Sequence, residues 1–296
     1  MSSSAVQATS TSASVAESRV SAQHRSGDPD LAFQPDDQIY PPKFENKLEE
    51  RAYLKHRLTL AFRIFANYGF SEGLAGHITV RDPVEPDSFW VNPFGLHFSL
   101  IRDEDLIRVD HSGKVVDGGK NRRLNYVLMV VHFVQQVGTN FVVFFTSYEV
   151  FAKSGLGRTL DMLSQDFCTF YQDHVLYTPL VFTFDSNFAG LVFATEEGKA
   201  IAKCLGDKKA ALLGNHGLLT AGPSIEAAVA WFVLLEKLCE IQLAADASAA
   251  GTGKPLIKIG HEEAVSTHCA IGRPEGGYCK FSQSLVGKSI RNAYGD

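Results

Sequence analysis

Three short stretches carry the residues that can do chemistry. "GLAGHITVRDP", residues 73–83, runs small residues up to Gly76 and His77 at the start of an alternating apolar segment. Small residues let backbone N–H groups approach an oxygen-rich ligand, with an imidazole beside them; the plainer reading is a glycine-permitted bend. "WVNPFGLHFSLI", residues 90–101, places Asn92, Gly95 and His97 in an Asn-Pro turn after a strand. That turn is either structural or a way of facing Asn92 and His97 toward a site. "LLGNHGLLTAG", residues 212–222, holds Asn215 and His216 at a tight turn between two apolar runs. A lone histidine there is a satisfied turn residue or a ligand to something bound.

The elements around them read as a mixed fold. Residues 47–69 carry apolar positions at Leu48, Ala52, Leu54, Leu58, Ala61, Phe62 and Phe65, one helical stripe stopped at Gly69. "HITVRD" and "FWV" read as short strands, and "LIRVDHSGKVVDGG" as a hairpin with His111 in its exposed turn. "YVLMVVHFVQQ" fits a buried helix or a strand, and "FVVFF" a central strand. "FYQDHVLYTPLVFTF" reads as core strand rather than a cofactor box, with His174 either in the site or structural. "EEGKAIAKCLG" is a short helix. The last long helix starts with Pro223 at its first position and buries Ile225, Val229, Phe232, Leu235 and Leu238. Strands interspersed with helices, hairpins among the strands, and no G-x-G-x-x-G or P-loop argue one α/β domain with a largely antiparallel sheet.

The division expected is a disordered Ser/Ala-rich tail over 1–38, one domain over 39–250, and an irregular C-terminal extension over 251–296. The tail lacks the apolar core of a secretory signal. A formal charge of −5 with scattered basic residues argues against a nucleic-acid partner. No apolar run reaches the roughly 20 residues of a bilayer span. Five cysteines, odd in number and without a C-x-x-C pair, read as reduced thiols of a cytoplasmic protein.

In order, and together with "GRTLDMLSQDFCTFYQDH" at 157–174, the three stretches resemble the class II aldolase/adducin family, nearest its aldolase-like, adducin-domain branch. The resemblance covers roughly Pro41 to Ala250. It implies a three-layer α/β/α sandwich with a central, mostly antiparallel sheet. It also implies a homo-oligomer, often a tetramer, acting on a small-molecule ligand. Enzymes of that family hold zinc through a His-x-His after the buried strand and a third histidine from the Asn-His-Gly turn, with an upstream carboxylate as acid/base. The metal polarises a carbonyl so that a carbon–carbon bond can break.

The pattern fails at one place. "FVVFFTSYEVFAKSG", Phe141–Gly155, has no histidine, and none occurs between His132 and His174. Anchoring on "GLGRTLDML" puts Phe144 and Thr146 at the two ligand positions; anchoring on His132 leaves the segment about three residues short. Neither Asp nor Glu occurs from Lys120 to Ser147. Phenylalanine cannot donate to zinc, and a threonine hydroxyl substitutes poorly for imidazole. His216 is then the one surviving family ligand, and the cofactor is open. Three readings follow. In one, the fold does metal-independent lyase, isomerase or cyclase chemistry on a carbonyl-bearing metabolite. His132 and Glu149 would be its acid/base candidates, and Gly76, His77, Asn92, Gly95 and Asn215 its substrate contacts. In another, the chain is an inert oligomeric binding protein of the adducin type. In the third, a misassigned exon over 122–155 hides an ordinary zinc enzyme.

Overall fold

Register and capping explain why these residues bring three distant turns to one end of a sheet. The computed structural model describes residues 41–71, 76–120, 141–145, 157–178, 195–214 and 216–282. All of them fall within one compact unit, Ile39–Asp296.

Helix α1 spans Lys47–Asn67. Asn46 caps it by accepting from the Leu48 N–H at 2.9 Å, and Glu49 and Glu50 in the first turn suit the positive end of the helix dipole. Its buried stripe is shorter than its periodicity suggests. Leu58, Ala61, Phe62 and Phe65 are fully buried, whereas Leu48 is 61% exposed and Ala52 is also at the surface. The strands β1 (His77–Arg81), β2 (Ser88–Val91), β3 (Ile107–Asp110) and β4 (Val115–Gly118) follow as an antiparallel meander. The β3–β4 hairpin and the exposed His111 in its turn match the sequence reading.

Strand β5 (Phe141–Phe145) lies in the middle of the sheet, antiparallel to β1 on one side and to β8 (Gly217–Gly222) on the other. Beyond β8 come β7 (Ala210–Leu213) and then β6 (His174–Tyr177). The eight-stranded order is β4-β3-β2-β1-β5-β8-β7-β6, and β6–β7 is its one parallel pair. Of the segment read as core strand, the described part forms β6, a partly buried strand at the edge of the described sheet.

Period-two alternation splits the sheet's side chains between two cores, which makes the three layers. Ile78, Val80, Trp90, Leu212 and Leu218 join α1 and α3 (Ile225–Thr252) on one face. Their sequence neighbours Phe89, Val91, Leu213 and Leu219 join Ile201 and Leu205 of α2 (Thr195–Leu205) on the other. Every residue of α3 from Ile225 to Phe232 is buried, so its start is central rather than amphipathic.

Two expectations are corrected. Pro223 is not the first helical residue; Ser224 is the cap, its Oγ accepting from the Ala227 N–H at 3.1 Å, with Pro223 one step outside. The boundary at 250/251 falls inside α3, which continues through Gly251 to Thr252. The extension beyond it is not irregular: α4 spans His261–Ile271, and residues 274–282 are also helical. The sequence hid α4 because Ala264 is its one fully buried residue, too little to print a stripe. Polar contacts hold it down instead. The Ile259 N–H donates to the Met162 carbonyl at 2.8 Å, and the Lys209 ammonium donates to the Gly272 carbonyl. The tail expected over 1–38 lies outside the described residues, and so does the segment "YVLMVVHFVQQ".

Candidate functional site at one end of the sheet

Four adjacent strands deliver the site. Asn92 follows the last residue of β2, and Gly76 and His77 open β1. Antiparallel pairing sets the end of β2 beside the start of β1. His77 is the register partner of Phe144 near the end of β5, and Phe145 pairs with Leu218 at the start of β8. His216, two residues before Leu218, occupies the β7–β8 turn, its N–H donating to the Leu213 carbonyl at 3.0 Å. Residues 77, 92 and 216 thus meet because three antiparallel registers coincide.

Gly76 takes φ of +97°, a conformation that a side chain would strain. This turns its carbonyl to face the Asn92 amide, whose Nδ2 lies 3.5 Å away. His77 is fully enclosed, and its pKa is pushed down to about 4, chiefly by burial and then by the neighbouring His216. Burial likewise lowers His216. Both rings are therefore neutral at neutral pH, ready to accept or donate a proton or hydrogen bond. Asn92 is 5% exposed, and its Oδ1 has no hydrogen-bond partner among the described residues. A buried amide oxygen left without a donor costs about 1–3 kcal/mol.

The other expected residues divide. Gly95 sits in the exposed turn after Asn92 with φ of +81° and open space where a Cβ would go, so it shapes the loop. His97 does not face the site. It is exposed and caps a short 3₁₀ turn, its Nδ1 2.7 Å from the Ser99 hydroxyl. His174 is structural: Nδ1 contacts the Phe170 carbonyl at 2.7 Å, and Nε2 accepts from the Leu160 N–H at 3.3 Å. His132, Glu149 and Asn215 lie outside the described residues.

Zinc, the metal implied by the sequence resemblance, can be tested against these donors. His77 and His216 supply two neutral imidazoles. Among the described residues no three His, Cys, Asp or Glu side chains gather where a metal ion could sit. That set does not match the three protein ligands of a catalytic zinc. All five cysteines are free.

Sequence reasoning missed a second polar region entirely. A cavity of about 110 Å³ between α1 and the start of α3 is lined by Phe44, Tyr53, Arg57, Ser224 and Glu226. Arg57 and Glu226 are 169 positions apart, yet Arg57 Nε donates to Glu226 Oε1 at 2.7 Å in the buried core. No local motif marks such a pair.

Known proteins align with this architecture. The sequence profile of the family described as Class II Aldolase and Adducin N-terminal domain matches residues 56–243. A 4-hydroxy-3-prenylphenylpyruvate oxygenase/4-hydroxy-3-prenylbenzoate synthase from Streptomyces roseochromogenus subsp. oscitans is 42% identical over 238 residues, covering 76% of this chain and 80% of that protein. Decarboxylase NovR from Streptomyces niveus is 42% identical over 237 residues, covering 76% and 81%. The structure of L-fuculose 1-phosphate aldolase from Glaciozyma antarctica PI12 superposes with a TM-score of 0.75 at 37% identity, covering 86% of this chain and 96% of that one.

Proposed function

The chain belongs to the class II aldolase and adducin family, and from that premise we propose that it is an enzyme acting on a small carbonyl-bearing metabolite, at a site that has lost the three-histidine zinc centre. Its reaction is of lyase, isomerase or cyclase type. Aldol cleavage and decarboxylation share one requirement: an electron pair must be left on carbon beside a carbonyl, and the enolate oxygen must be stabilised. Relatives named for an aldolase, a decarboxylase and a phenylpyruvate oxygenase all fit chemistry at such a carbon.

The observation that carries the reading is the neutral pair of buried His77 and half-buried His216 at the end of β5, where the sequence continues Phe144-Phe145-Thr146 in place of two histidines. Neutral imidazoles in a water-poor site can donate to a developing oxyanion or take a proton from the substrate. His132 and Glu149 are the proposed acid/base groups. Gly76, Asn92, Gly95 and Asn215 orient the substrate. Phenylalanines at 144 and 145 suit a larger, less polar substrate than a sugar phosphate, in keeping with a relative named for prenylated aromatic compounds. Because the described donors fall short of a zinc set, no step is routed through a metal. We also take the protein to be a cytoplasmic homo-oligomer; among the described residues no helix is long and apolar enough to cross a membrane.

The test is a thermal-shift and turnover screen of purified protein with 2-oxo acids and hydroxy-carbonyl compounds, with and without zinc and chelator. Stabilisation by an organic ligand, with turnover indifferent to chelator, is the expected result. Near-stoichiometric zinc whose removal abolishes turnover would show that the metal centre is intact, and transcript sequencing across 122–155 would then locate the missing ligands. Silence toward every carbonyl compound would favour the inert binding protein. Full turnover in both His132→Ala and Glu149→Ala would remove the acid/base assignment.

A further inference from the structure

We infer that Asn92 is a specificity-determining acceptor: its Oδ1 takes a hydrogen bond from a hydroxyl of the bound substrate, so the site selects hydroxyl-bearing ligands over those presenting only acceptor oxygens there. This rests on the site reading of the preceding subsection and adds the class of substrate to it.

The geometry leaves one role for that oxygen. Asn92 is 95% enclosed, and among the described residues its Oδ1 is without a partner. The amide cannot be turned over to relieve this. Nδ2 faces the Gly76 carbonyl at 3.5 Å, and a flipped amide would set oxygen against oxygen. The same side-chain chemistry is matched at another buried position. Gln242, 0% exposed, accepts from the Asp161 N–H through Oε1 at 2.8 Å and donates to Asp161 Oδ2 through Nε2 at 3.1 Å. Orphaned buried atoms also occur at Thr59 Oγ1 and Trp231 Nε1 among the described residues, so it is the location of the Asn92 oxygen that makes it a functional candidate. It stands at the sheet end that holds His77 and His216. A phosphate or carboxylate oxygen brought there would meet a second acceptor and be repelled; a hydroxyl would donate. A site built to bond a hydroxyl discriminates strongly against the analogue lacking it, because the buried partner is then left unpaired.

Two aromatic 2-oxo acids that differ by one hydroxyl, 4-hydroxyphenylpyruvate and phenylpyruvate, make the test. Their dissociation constants are measured by titration calorimetry on the wild-type protein, on Asn92→Ala and on Asn92→Leu, the last keeping volume should the alanine variant fold poorly. The wild type is expected to bind the hydroxylated acid at least tenfold more tightly, and either variant to bring the ratio close to one while still binding phenylpyruvate. Equal affinities in the wild type, with both acids bound, overturn this inference and leave the proposed function standing; Oδ1 then serves an internal water. A ratio that survives in a folded variant overturns it also. Failure of both acids to bind the wild type overturns the proposed substrate class and this inference with it.

Discussion

The two polar regions on either side of β1 obey opposite rules. Under α1, Asp82 is 0% exposed and its carboxylate is saturated. It accepts from Arg51 Nε and Nη2 at 2.8 and 2.9 Å, from the Trp90 indole at 2.5 Å, and from the Val84 and Glu85 N–H groups at 2.8 and 2.7 Å. Burial is the largest single influence on its pKa and acts to raise it, but these donors together outweigh burial and hold the carboxyl below its usual value. Arg57 and Glu226 satisfy each other in the same manner. At the opposite end of β1, burial holds two imidazoles neutral, and an amide oxygen is enclosed with no partner among the described residues. Buried polar groups that are fully matched specify the packing; buried groups left short of a partner are a cost the fold accepts where a ligand completes them.

Substitutions on the two sides should separate these roles. The largest effect belongs to Glu226→Ala, which strands a buried Arg57 and should lower unfolding stability by about 3–5 kcal/mol in urea titration. A loss under about 1 kcal/mol would mean that water reaches the pair through the adjoining cavity.

The imidazole end should reveal itself through acid. The folded pKa of His77, about 4, lies below the ordinary 6.5. The unfolded chain therefore takes up a proton first. The stability tied to keeping His77 neutral is complete above about pH 6.5 and is lost as pH falls toward 4. That amounts to about 3 kcal/mol by linkage. The urea midpoint of the wild type should fall across this window, and His77→Phe should flatten the decline. An unchanged slope would place the ring in a wetter setting than this geometry describes.

Asn92 and Gln242 sharpen the comparison within a single chemistry. Gln242→Leu abandons the Asp161 N–H and should cost about 1–3 kcal/mol, while Asn92→Leu removes an unmatched oxygen and gives up only the long Nδ2 contact to the Gly76 carbonyl, and should leave stability within about 1 kcal/mol. Comparable losses from both would erase the distinction. The smallest effect is expected at Gly95→Ala. Open space surrounds the new Cβ, so backbone strain alone remains, about 1 kcal/mol in thermal unfolding.

Much of this architecture is legible in one dimension. The β3–β4 hairpin, the central placement of "FVVFF", and the helices 47–67 and 225–252 follow from patterns repeated within a few residues. His77, Asn92 and His216 could each be picked out because each sits at a turn signalled by glycine, proline or asparagine. Leu48 misled because helical spacing does not say where the partner surface ends. His97 misled because a histidine two residues before a serine can cap a turn as readily as face a pocket. The C-terminal helix was hidden because backbone carbonyls and charged side chains from residues some 90–100 positions away hold it.

The amino-acid sequence by itself determined the family, the layer architecture, and which donors are missing between His132 and His174, since these depend on residue type and local order. Only the tertiary structure decided that His77 stands against His216, that Arg57 meets Glu226, and that Asn92 keeps an idle oxygen. Each of those depends on strand register and burial, and no residue encodes how much water its distant neighbours will exclude.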